Sequence, residues 1–234
     1  MKKRTRKKKL PRRILRWGWT ILLVLFTLSL LQVSLLRVIN PPFTATMAWD
    51  WIRNRSTRRV FVLQESWKPL QDISPHIRKA VLAGEDQRFL SHHGFDFSEM
   101  NQAIKDIVLK KGCRGASTIT MQTARTVFLW PERSWLRKSA EAYYTVLIEI
   151  FWSKERVLEI YLNTVDWGPS VVGVEAASRR YFHASCCCIS RSQAASLAAI
   201  LPSPHKWSPI SPGAKVFRRQ KRILKDMERM PLLS

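Results

Sequence analysis

The residues best placed to do chemistry lie close together in Glu85-Asp86-Gln87-Arg88-Phe89-Leu90-Ser91-His92-His93-Gly94-Phe95-Asp96. Two adjacent acids end a run with helical spacing, Ser74 to Gly84. There Ser74 can cap, Pro75 suits the first helical position, and Ile77, Val81 and Gly84 share a face. A carboxylate at such a boundary, near an aromatic ring and two imidazoles, can lose part of its hydration. Its pKa then rises towards the range of a general base. Read alone, the segment also fits a solvated helix end carrying an ordinary surface acid.

Two further segments supply complementary groups. Gly115-Ala116-Ser117-Thr118-Ile119-Thr120-Met121-Gln122 reads as a turn feeding a helix N-terminus. Free N–H groups there favour an anion, and Arg114 and Arg125 bring positive charge to both ends. A plain helix cap explains the hydroxyls equally well. Ser134 to Glu141 opens a helix running to about Trp152, in which Arg137 and Glu141 are four apart and can pair. That pair is either a surface detail or a second carboxylate oriented by a cation.

The elements that must hold these groups follow from composition. The 234 residues suffice for one domain plus an accessory segment, with a formal net charge of +23. Ten of the 40 Lys and Arg lie in the first sixteen residues, which hold no acid. Trp17 to Leu36 follows, twenty residues without a charge, about the length that crosses a bilayer core. The basic block then predicts a cytoplasmic N-terminus, and Leu35-Leu36-Arg37 is no cleavage site, so the run is expected to be a retained signal anchor. This explains the basic block by topology, and no nucleic-acid partner is expected. Asn40-Pro41-Pro42 breaks the helix, and Val60-Phe61-Val62-Leu63 is the one convincing strand. From Ser74 onward the periodicity is helical. The Pro-rich stretch Pro202 to Pro212 separates an Ala-rich helix from a last basic helix. In that helix Val216, Gln220, Ile223, Leu224 and Met227 line one side, which suggests a packed terminal element with a solvated basic face. Asn163 and Gly168 read as helix-end and turn residues. Cys113 and Cys186-Cys187-Cys188 lack a zinc spacing, and one bridge from Cys113 to the cluster is compatible with an exported domain.

In order, Glu-Asp-x-x-Phe-x-x-His-x-Gly-x-Asp (85–96), Gly-Ala-Ser-Thr-Ile-Thr-Met-Gln (115–122), Arg-Lys-x-x-Glu (137–141), Lys-x-x-x-Leu-Glu-x-Tyr-Leu-Asn (154–163) and Gly-Val-Glu-Ala-Ala-x-x-x-Tyr-Phe (173–182) resemble the peptidoglycan glycosyltransferases of family 51, most closely the monofunctional, membrane-anchored type. The resemblance implies a mainly α, lysozyme-like glycosyltransferase domain with a small jaw lobe, preceded by one transmembrane helix. It divides the chain into a cytoplasmic basic segment (1–16), signal anchor (17–36), juxtamembrane segment (37–56), glycosyltransferase domain (57–220) and C-terminal tail (221–234). It implies polymerisation of lipid II by inverting β-1,4 transfer with undecaprenyl pyrophosphate leaving. Glu85 is then the general base, and Glu141 the second essential acid. Asp86, Phe89 and His92 shape the groove. Ser117, Thr118, Gln122 and Arg125 hold the pyrophosphate, assisted by Arg137 and Lys138. No cofactor is required, although a divalent cation (Mg or Mn) can accompany the pyrophosphate. The implied partners are lipid II, the growing glycan strand, the membrane, and cell-division or cell-elongation proteins. The implied location is the inner membrane, single-pass, with the catalytic domain periplasmic.

A pyrophosphate leaving group needs positive charge rather than a proton, so the cations around the second and third motifs favour transfer over hydrolysis. The second motif departs from the family at Ala116, Met121, Arg125 and Thr126. Those departures leave two alternatives to test: a weakly active or non-catalytic partner of wall synthesis, and a lysozyme-like hydrolase.

Overall fold

A computed structural model describes residues 12–53, 66–109 and 115–233. Two units separate, Met1–Ile39 and Asn40–Ser234. The described residues of the first form helix α1 (Arg12–Leu36) and the turn that follows it. Its stretch Arg16–Leu36 has a mean hydropathy of 2.1 over 21 residues and is long and apolar enough to cross a membrane. The hydroxyls of Thr20, Thr27 and Ser29 bond back to the carbonyls of Arg16, Leu23 and Phe26, which removes their demand for water.

The second unit is mainly α-helical, as the sequence predicts. Nine helices follow among the described residues: α2 (Ala45–Arg53), α3 (Pro75–Glu85), α4 (Phe97–Val108), α5 (Ile119–Phe128), α6 (Trp135–Phe151), α7 (Lys154–Thr164), α8 (Val174–Phe182), α9 (Arg191–Ile200) and α10 (Ala214–Asp226). Local chemistry sets many of the starts. Ser74, Asp96, Thr118, Ser134, Ser153 and Ser190 each accept a backbone N–H inside the first turn. Asn40-Pro41-Pro42 precedes α2, and Thr44 caps it at Met47 N (3.2 Å).

Two packed groups make the core. Ala-rich α9 is buried from Ala194 to Ile200, and its small side chains let both α3 and α10 close on it. Helix α5 packs against α6 and α7, with Ile119, Ile148, Leu158 and Tyr161 buried between. Gly84 lies on the shared face of α3. A Cβ there would meet Ile223 Cδ1 at 3.2 Å and Arg219 Nη2 at 3.5 Å, so the missing side chain admits α10.

The structure departs from the sequence reading in several places. A small antiparallel hairpin, β1 (Asp166–Gly168) and β2 (Val171–Val172), occupies a stretch read as a turn. Strands of three and two residues are too short to show alternation. The expected strand Val60–Leu63 lies outside the described residues, as do Arg114 and Cys113. The boundary drawn at position 220 falls inside α10, and beyond it Ile223, Met227 and Leu233 are buried. Cys186 is a buried free thiol, while Cys187 and Cys188 are exposed and free. On the last helix Val216, Gln220, Ile223 and Met227 turn inward as expected, and Leu224 is half-buried.

Candidate active site

Glu85 ends α3 with its side chain 12% exposed. Its Oε1 accepts from Arg219 Nη2 of α10 at 2.7 Å, and its Oε2 accepts from Gln122 Nε2 of α5 at 2.9 Å. Tyr161 of α7 donates its hydroxyl to Gln122 Oε1 at 3.2 Å. A phenol donating to the amide oxygen leaves the amide nitrogen for the carboxylate, so Tyr161 sets the orientation of Gln122. Burial raises the pKa of Glu85 above the ordinary carboxylate range, against the opposing pull of Arg219, Gln122 and Arg125. The Tyr161 hydroxyl is pushed well up, first by burial and then by the Glu85 charge. Burial lowers the Arg219 guanidinium in turn.

Asp86 does different work. Its two oxygens meet His92 Nε2 at 2.9 and 3.0 Å, and Oδ2 accepts the N–H of Ile119 at 3.0 Å. That N–H is the first of α5, so Asp86 itself supplies the negative group that the helix terminus favours. Thr118 caps the same terminus through Met121 N (3.2 Å) and donates to Gly94 O (2.6 Å). The N–H groups of Ile119 and Met121 are thus taken by the protein's own side chains. Ser117, half-buried, stands just ahead of the cap.

The imidazoles expected beside Glu85 go elsewhere: His92 joins Asp86, and His93 is exposed. Phe89 is buried, edge-on to His92 with ring centroids 6.2 Å apart, and Lys154 Nζ lies 4.6 Å from its centroid. Lys154 also donates to His92 O (2.8 Å) and Glu149 Oε1 (2.9 Å), while Thr120 reaches the same Glu149 oxygen at 2.6 Å. Arg88 holds Asp96 through two bonds of 2.9 and 2.5 Å, and Asp96 caps α4 at Glu99 N. Phe89 and His92 therefore brace the first motif, and Asp86 and Phe89 also line a cavity with Arg88 and Met230.

Glu141 forms a separate cluster. It is 1% exposed and accepts from Arg137 Nη1 and Lys138 Nζ, both at 2.5 Å. Arg137 is nearly buried and Lys138 is open to solvent, so the pair is not the surface detail that spacing allows. Glu85 and Glu141 share no hydrogen bond.

The sequence reading does not single out Arg219, which belongs to the last basic helix. The signal was present: Arg219 is three positions from Val216 and four from Ile223, on the buried side of α10. Tyr161 and Lys154 enter the sequence reading only as members of the motif at 154–163. Asn163 is structural, as expected. Its amide exchanges two 2.9 Å bonds with the backbone of Lys68.

Comparison with known proteins shows the family. The family described as Transglycosylase matches residues 54–228, which extends past the boundary drawn at 220. A protein named biosynthetic peptidoglycan transglycosylase in Pseudomonas entomophila (strain L48) is 46% identical over 202 residues, covering 86% of each chain. Proteins of the same name in Bdellovibrio bacteriovorus (44% over 209 residues; 89% of this chain, 84% of the relative) and Caulobacter vibrioides (43% over 203; 87% and 86%) are similar to it as well. With a family model matching most of its length and relatives 43–46% identical over most of both chains, this chain belongs to the transglycosylase family.

Proposed function

We propose that this protein is a peptidoglycan glycosyltransferase that polymerises lipid II into glycan strands by inverting β-1,4 transfer. The carrying observation is Glu85, a buried carboxylate with a raised pKa, aimed by Gln122 and Arg219. Glu85 takes the proton from the acceptor 4-hydroxyl as that oxygen attacks the anomeric carbon of the lipid-linked donor. Undecaprenyl pyrophosphate leaves without needing a protonated acid. Its charge is met by Arg125, whose field already reaches Glu85, and by Arg137 and Lys138. Both Glu141 oxygens accept from cations, the pattern of an orienting carboxylate rather than a proton donor. This supports transfer over glycoside hydrolysis.

The departures in the second motif leave the chemistry in place. Met121 is a buried core residue, Thr126 offers its carbonyl to Thr46 Oγ1 (3.4 Å), and Arg125 keeps a cation near Glu85. We place the protein in the inner membrane, anchored by α1 with the second unit in the periplasm. The exposed Phe97, Ile104, Ile107 and Val108 of α4 support a jaw lobe dipping into lipid. Contact with cell-division or cell-elongation proteins would follow from the same location.

The test is polymerisation of labelled lipid II by the full-length protein in detergent, with Glu85→Gln alongside. Polymer from the wild type and none from the folded variant is expected. Lipid II binding without turnover by the wild type would select the non-catalytic partner, and soluble fragments released from sacculi would select the hydrolase.

A further inference from the structure

The turn that joins α8 to α9 carries three consecutive thiols, Cys186, Cys187 and Cys188, and the proposed reaction uses none of them. Only the first belongs to the core. Cys186 is buried, and burial pushes its thiol well above the ordinary range, reinforced by the hydrogen bond and charge of Glu175, so it stays protonated and inert. Cys187 and Cys188 are exposed and free, with their Sγ atoms 2.9 Å apart. That gap exceeds a covalent S–S bond by only about 0.9 Å. A packing role would bury these two thiols. They are also unlike. The hydrogen bond from Cys188, helped by Ser185, holds the Cys187 thiol below its ordinary value, and the same bond raises Cys188.

The platform beneath the pair is fixed from two sides. Glu175 of α8 is buried and accepts Cys186 N at 2.8 Å and the Ser185 hydroxyl at 3.0 Å on one oxygen, and Arg179 Nε at 2.6 Å on the other. Ser74 donates its N–H to Cys186 O at 3.2 Å and its hydroxyl to Ile189 O at 3.3 Å. Those two carbonyls bracket Cys187 and Cys188. Ser74 is the N-cap of α3, the helix that ends at Glu85. The turn is therefore tied to the start of the helix that carries the candidate base.

We infer that Cys187 and Cys188 form a reversible thiol–disulfide exchange site for low-molecular-weight disulfides, with Cys187 attacking and Cys188 resolving. In the first step the Cys187 thiolate bonds to one sulfur of the small disulfide, whose S–S bond breaks and whose other half leaves as a thiolate. Cys188 then gives up its proton and attacks Cys187 Sγ, and the second half leaves as a thiolate. Two protein thiols are oxidised to one Cys187–Cys188 disulfide, the small disulfide is reduced to two thiols, and the two protons pass to the leaving sulfurs. The product is labile. A trans peptide sets the adjacent Cα atoms about 3.8 Å apart, below the range of about 4.4–6.8 Å of ordinary disulfides, so excess thiol reverses the step. Closing the ring also distorts the turn that holds Ser74, so the redox state is felt at the N-terminus of α3.

The experiment uses the full-length protein in detergent, reduced and then treated with glutathione disulfide. Cys113→Ser is the background, removing the one cysteine outside the turn. Peptide mapping by mass spectrometry after alkylation is expected to show a Cys187–Cys188 disulfide and a free Cys186, with dithiothreitol restoring both thiols. Cys188→Ser should stop halfway, with a stable glutathione adduct on Cys187. Limiting iodoacetamide on the reduced protein should label Cys187 ahead of Cys188 by about threefold or more. The oxidised protein should melt about 2–4 °C below the reduced one, and a Cys187→Ser, Cys188→Ser double variant should ignore the reagent. Both thiols still free after treatment, a glutathione adduct that persists on the Cys113→Ser protein, or equal labelling of the two thiols overturns the exchange site. An unchanged Tm on oxidation overturns its link to α3. None of these readouts uses lipid II, so failure of the proposed activity would leave the exchange site standing.

Discussion

Replacing Arg219 with Gln removes the cation that opposes burial at Glu85 while leaving a side chain able to hydrogen-bond. Two unit charges about 4 Å apart interact by about 4 kcal/mol at an effective dielectric near 20, equivalent to about 3 pKa units. The Glu85 and Arg219 side chains are 12% and 18% exposed, so solvent screens part of that. The replacement amide and Arg125 recover more. A further rise in the Glu85 pKa remains, because the cation that opposes its burial is gone. The sign follows from the role of the group. A base works only when deprotonated, so a higher pKa lowers the active fraction at a fixed pH below it, by about tenfold per unit. The assay is kcat/KM for lipid II polymerisation against pH, for wild type, Arg219→Gln and Arg219→Lys. The acid limb should move to higher pH in the Gln variant, with activity recovering in alkali, and return most of the way in the Lys variant. A rate that drops equally at every pH, or a limb that stays where it was, would refute the electrostatic account. Arg219 would then be only a packing element.

Glu141→Gln should leave Arg137 nearly buried beside a neutral amide. Breaking such a pair costs about 3–5 kcal/mol, so denaturant unfolding should show a loss of that order, with Lys138→Gln costing far less because it is open to solvent. Gly94→Ala should cost about 2–4 kcal/mol, from a left-handed backbone and overpacking. Gly94 has φ +85°, and a Cβ would meet Thr145 Cγ2 at 2.7 Å and Glu149 Cγ at 2.9 Å. Polymerisation should fall too, since Gly94 O anchors Thr118; a Tm within 1–2 °C of wild type would contradict this reading.

Local rules carried much of the fold because they depend only on neighbours in the chain. Ser74 capping α3 ahead of Pro75, Ser134 opening α6 and the break at Asn40-Pro41-Pro42 were all legible, as was the apolar length of α1. The hairpin at Asp166–Val172 was not, since five strand residues are too few for a period to show.

What the sequence by itself determined was which residues could do the chemistry: an acid at the end of α3, a capped helix carrying Gln122 and Arg125, and an Arg137–Glu141 pair. Tertiary structure decided which of them meet. Gln122 reaches Glu85 across 37 positions and Arg219 reaches it across 134, pairings that no local pattern encodes. Burial decided the rest. Asp86 and Glu85 are neighbours with the same chemistry in sequence, yet one is spent on His92 and the α5 terminus. The other is left desolvated with a raised pKa, because Asp86 leaves the helix at an extended φ of −160° that turns its side chain towards different partners from those of helical Glu85.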